Sequence, residues 1–140
     1  MTNLATRFFF TAALCGLIGM IWGIQMSASH DHTLSPAHGH LNLIGFVAMS
    51  VFGTYYALSP KAAASRLANV HFVIAIAAVL VLTPGIALAI SESGETLAKL
   101  GSVLALLSMV LFAVVIFRHG IEQMNTAGQG SGAHRQPAGK

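Results

Sequence analysis

AHGHLNLIGFVAMSVFGTYYAL, residues 37–58, is an apolar run headed by two histidines and an asparagine. Its length is close to the ~20 residues that cross a bilayer as a helix. Three more runs share that length: residues 8–27, 67–90 and 96–118. A backbone in hydrocarbon has to pair its own N–H and C=O groups, so helices are expected, not strands. The whole chain agrees, with 55% hydrophobic residues, only 8% charged ones and a mean hydropathy of +0.74. Such values belong to the membrane class. No basic cluster or aromatic platform suggests a nucleic-acid partner.

The connections are short, about eight to ten residues in our reading, which predicts antiparallel neighbours. The expectation is therefore an all-α, up-down-up-down transmembrane four-helix bundle over residues 7–119, with lipid as its surroundings. Ser35 and Pro36 read as the cap and first position of the second helix. Pro84-Gly85 reads as a kink in the third. The tail, residues 120–140, holds the Gly-, Ser- and Gln-rich NTAGQGSGAHRQPAGK and reads as disordered. Arg7 and the SAS at 27–29 also fit a cleaved signal peptide, but the apolar run is long and three spans follow it.

Charge orients the spans. Arg7, Lys61, Arg66, Arg118, Arg135 and Lys140 fall on one side, and Lys99 alone falls on the other. The positive-inside rule then places both termini in the cytoplasm, and the loops at 28–36 and 91–95 outside a bacterial inner (cytoplasmic) membrane. Gly16, Gly19 and Gly23 form a small-residue stripe that serves contacts within the chain or between copies equally well. Cys15, the single cysteine, excludes an intrachain disulfide and reads as a small buried hydrophobe.

The histidines carry the functional question. In the second span, His38, Asn42, Gly45, Met49, Gly53 and Tyr56 share one face at helical spacing, as a cofactor or the bundle interior would require. His40 lies about 200° round from His38 at 100° per residue, so one planar ring between the two is not expected. Asn42, one turn below His38, is placed to orient polar groups beside it. His71 sits about one turn inside the third span, where an ionisable group is costly unless it pairs or ligates. His119 ends the fourth span on the same side, suited to the C-terminal dipole or to joining His71 on an iron. His38 and His71 are separated by about 20–25 Å along the helices, too far to share a haem. His30, Asp31, His32, His38 and His40 form an outer group of nitrogen and oxygen donors that suits Zn²⁺ or Cu²⁺.

The run HGHLN at 38–42, with Gly45-Phe46 and FGTYYAL at 52–58 behind it, resembles helix two of haem–copper oxidase subunit I. That superfamily includes the nitric-oxide reductase large subunits. The resemblance covers residues 37–58 well and the other spans loosely. It implies a respiratory-membrane haem b protein, with His38 as the ligand and His40 as an additional histidine. With four spans, no adjacent histidine pair and no histidines for the further metal ligands, the chain departs from a complete oxidase. No independent turnover is assigned to it. What the resemblance implies is electron relay or small-gas binding, within a homo-oligomer or a larger respiratory complex. No C-x-x-C-H motif is present to attach haem covalently. The alternatives are a Zn or Cu protein using the outer group, and a non-catalytic subunit or assembly factor.

Overall fold

The computed structural model describes residues 3–120. The expected tail, with His134, Arg135 and Lys140, lies outside the described residues from 121 onward. The described chain is all-α, with four long helices: α1 (Leu4–Ser29), α2 (Ser35–Leu58), α3 (Arg66–Ile90) and α4 (Thr96–His119). A single helical turn, Pro60–Ala63, links α2 to α3. All four helices are long and apolar enough to cross a membrane, which makes this a multi-pass membrane protein. Outward-facing Phe10, Ile24, Leu106 and Phe117 suit lipid, whereas in water they would form adhesive patches.

Local chemistry sets the helix ends. Asn3 caps α1 by accepting the Thr6 N–H at 2.8 Å, and Ser65 caps α3 by accepting the Ala68 N–H at 3.1 Å. Each bond satisfies one of the unpaired donors at a helix start. α1 stops at His30, which adopts the left-handed conformation at φ 56°. Ser35 is not the cap of α2: it lies inside the first turn beside Pro36, with Leu34 ahead of it. α3 runs through Pro84 as one continuous helix.

α2 departs from a plain α-helix. It winds as α over Ser35–His40, as π over Leu41–Ala48 and as α again over Met49–Leu58. The wide segment follows the two histidines directly and contains Asn42 and Gly45. Insertions of this kind are rare and concentrate at functional sites.

The helices pack serially and antiparallel. Along α1 and α2, Gly16 abuts Phe46, Gly19 abuts Asn42 and Gly23 abuts His38, while Gly53 meets Phe8. The glycine stripe thus serves contacts within the chain. Gly45 lets α2 sit between Cys15 of α1 and Val79 of α3. α3 and α4 touch backbone to backbone: a Cβ on Gly101 would lie 2.5 Å from Leu82 Cα, and one on Gly85 2.5 Å from Ala98 N. α1 and α4 form no extensive pair, so the up-down-up-down order is realised as a row with only weak closure.

One end of the bundle, here the terminal end, gathers the start of α1, the end of α2, the start of α3 and the end of α4. Its core is aromatic. Phe8 lies 5.9 Å from Phe52, 5.3 Å from Tyr56 and 4.8 Å from Phe72, centroid to centroid. Phe112 of α4 closes on Phe52 at 4.6 Å. Each such pair adds about 0.5–1.5 kcal/mol beyond area burial. The opposite, loop end carries residues 30–34 and 91–95.

Candidate functional site

At the loop end, His38 is half-buried between α2 and α1. Trp22 of α1 stands perpendicular to its ring, 5.9 Å away. Asn42 donates its amide to the His38 carbonyl oxygen at 2.9 Å. The same Nδ2 lies 3.3 Å from His38 Nε2 and 3.5 Å from Nδ1. Near-equal spacing from both ring nitrogens puts the amide against the ring face, out of line with either lone pair. The ring also packs on Gly23: a Cβ there would come 3.3 Å from His38 Cε1 and 3.8 Å from Nε2. Asn42 itself rests on Gly19, where any side chain would collide with its amide.

The π winding supports this arrangement. At 100° per residue, positions four apart drift by about 40° each step round an α-helix. The wider segment turns less per residue, so His38, Asn42 and Phe46 stay in one column against Gly23, Gly19 and Gly16. Apolar cavities adjoin the two side chains that touch His38. One of about 400 Å³ is lined by Gly16, Met20, Asn42 and Phe46 among others, and one of about 340 Å³ by Ile18, Ile21, Trp22 and Gln25.

His40 lies elsewhere. It is exposed, and its Nδ1 sits 2.7 Å from the Pro36 carbonyl oxygen. That carbonyl can only accept, so Nδ1 carries a proton. The divergence of His38 and His40 expected from helical spacing is present.

The outer donor group is not brought together. His30, Asp31 and His32 are exposed, and the Asp31 carboxylate accepts the Thr33 N–H at 2.9 Å. Hydrogen bonding from the Thr33 side chain and backbone holds the Asp31 carboxyl below its usual range. Among the described residues, no three His, Cys, Asp or Glu side chains lie close enough to hold a metal ion.

His71 and His119 share the terminal end but not a site. His71 is fully buried, with Phe8, Phe52 and Phe112 round it at 5.4, 4.6 and 5.6 Å between centroids. Its Nδ1 lies 2.9 Å from the Tyr56 hydroxyl, and its Nε2 has no partner. A macrocycle at Nε2 would have to displace these rings. His119 is exposed at the end of α4, seven residues beyond Phe112 and so about 10 Å further along the axis. Its Nδ1 is 3.1 Å from the Val115 carbonyl oxygen.

Sequence reading missed two features here. Tyr56 stood on the polar stripe of α2, but its partner on α3 was not expected. The common depth of Tyr56 and His71, one near the end of its span and one near the start of the next, was the available signal. Trp22 carried no signal beyond its type. Compared with known proteins, the chain matches no family model, no curated protein and no solved structure.

Proposed function

We propose that this chain is a membrane haem b protein that holds its haem at the loop end through His38, relaying electrons or binding a small gas. In this reading it lies in a bacterial inner membrane with both termini cytoplasmic, as a homo-oligomer or within a larger respiratory complex. The observation that carries the reading is the contact at Gly23, where a half-buried imidazole packs on a helix surface without a side chain. Neutral imidazole is a good iron ligand, and its surroundings set its orientation. His38 would supply that ligand, with Asn42 in contact with the ring and Trp22 perpendicular to it restricting its rotation. Gly19 and Gly23 keep the α1 surface flat, and the apolar walls beside Asn42 and Trp22 exclude water. Haem, when bound, supplies a one-electron iron couple. The resemblance of HGHLN to the oxidase helix points to the same residue.

Absorption spectra of the detergent-purified protein, oxidised and dithionite-reduced, test this after haem-replete expression. The wild type should show a Soret band with a reduced alpha absorption. His38→Ala and Gly23→Leu should lose it, the second by pushing the His38 ring out of place, while His40→Ala and His71→Phe keep it. A Soret band of wild-type strength in His38→Ala would remove His38 from the site. No Soret band in the wild type would end the haem reading.

A further inference from the structure

The Tyr56–His71 pair has no part in a haem at the loop end. It is nonetheless an ionisable group set deep between helices, and groups of that kind mark proton and ion paths more often than packing. Three features meet there. His71 is fully buried with Nε2 unpartnered. Its Nδ1 is 2.9 Å from the Tyr56 hydroxyl. Tyr56 also lines a cavity of about 330 Å³ at the terminal end, between the start of α1 and the Pro60 turn, with Asn3, Leu4, Pro60 and Ala63 among its walls. At ~30 Å³ of liquid per molecule, such a space has room for several waters.

We propose that Tyr56 and His71 form a proton-uptake site fed by water from the terminal end of the bundle. The relay uses the tautomer in which Tyr56 donates its hydroxyl hydrogen to Nδ1 and Nε2 carries the ring hydrogen. The phenol oxygen keeps lone pairs to accept from water in the cavity. Uptake moves one proton in two hops. A hydronium ion in the cavity protonates the Tyr56 oxygen, and the original phenol hydrogen passes to Nδ1. This leaves water, a neutral tyrosine and a histidine imidazolium.

The walls accept that charge. Phe8 from α1, Phe52 from α2 and Phe112 from α4 all lie within the ~6 Å over which a cation is drawn to a ring. The ionisable groups facing this region are few. From α2 there are Tyr56 and Tyr55, whose hydroxyl donates to the Gly120 carbonyl oxygen at 2.8 Å. From α1, Arg7 lies over Phe72 at 4.2 Å and donates to Asn69 at 3.2 Å. Lys61 lies on the link to α3, Arg66 begins α3, and Arg118 and His119 end α4. Among the described residues the acids Asp31, Glu92 and Glu95 are all at the other end.

Protein labelled with ¹⁵N at histidine tests the site without haem, because the ring shifts report tautomer and charge. Near neutral pH the His71 resonances should show the Nε2–H form. A step to acid pH should produce the imidazolium, and that rise should slow by an order of magnitude in Tyr56→Phe. Ala63→Phe fills the cavity while leaving the pair intact, so it should slow the rise as well, which separates the route from any general loosening by Tyr56→Phe. An Nδ1–H tautomer overturns the proposal. So does an imidazolium that never appears while the helices persist, or one that forms at the wild-type rate in Ala63→Phe.

Discussion

At the residue scale, the strongest single commitment is the hydrogen bond between Tyr56 and His71. It is shielded from bulk water, with Tyr56 1% and His71 0% exposed. Leaving a buried polar atom unpaired costs about 1–3 kcal/mol, whereas replacing both partners by apolar groups of similar shape can be nearly neutral. Tyr56→Phe strands Nδ1, and His71→Phe strands the phenol. Each should therefore destabilise the protein by about that amount. The double variant should lose less than the sum, by denaturant unfolding in detergent. Additive losses would mean that the two groups do not depend on one another. Asn42 presents a milder case, since its amide rests on Gly19 through a side chain that can swing away.

At the scale of elements, the contrast lies between helix pairs. α1 and α2 meet glycine against side chain, whereas α3 and α4 meet glycine against backbone at Gly85 and Gly101. In lipid, close packing of this kind drives helix association, because hydrocarbon offers no hydrophobic gain between helices. A Cβ at position 101 would press on Leu82 N and Cα at 2.6 and 2.5 Å, and no rotamer can relieve it. Gly101→Ala should thus cost about 1–3 kcal/mol, the usual penalty for overpacking. It should exceed Gly19→Ala in the same unfolding measurement; the reverse order would show that α3 and α4 can separate cheaply. The first loop makes a pH prediction. Hydrogen bonds from Thr33 lower the folded-state pKa of Asp31, so the turn is held above the ordinary carboxylate range and released as pH falls through the lowered value. Exchange protection of the Thr33 amide, followed down through acid pH, should fall with that midpoint. Protection independent of pH would exclude the carboxylate as the acceptor that matters.

At the scale of the whole molecule, charge is divided between the ends. Among the described residues, Arg7, Lys61, Arg66 and Arg118 lie at the terminal end. The loop end holds Asp31, Glu92, Glu95 and Lys99, and Lys99 is paired to Glu95 at 2.8 Å. That pair is exposed and adds little stability. It also partly neutralises the one basic residue that opposes the rest. Positive-inside reasoning then predicts the terminal end in the cytoplasm. In intact cells, a membrane-impermeant thiol reagent should label Ser93→Cys, and label Lys61→Cys only after lysis. The opposite pattern would invert the molecule, and with it the side from which protons reach Tyr56.

Much of this protein is determined one residue type at a time. Apolar runs of spanning length become helices because hydrocarbon leaves the backbone no other partner. Short loops make neighbours antiparallel, and the basic residues sort to one end, so the four spans and their order were legible from residues 8–118 alone. The inward stripe of α2 was legible too, since Gly45, Met49, Gly53 and Tyr56 are all buried. Tertiary structure decided what periodicity cannot express. The π winding of Leu41–Ala48 adds no distinctive residue to the sequence, and it brings His38 and Asn42 into line with the glycines of α1. Whether those glycines served a contact within the chain or between copies depended on which helix reached them. Four histidines and an aspartate close in sequence did not converge, because loop backbone, not sequence distance, directs their side chains. His71 met a tyrosine and not His119, because the separation along α4 exceeds what a side chain can span.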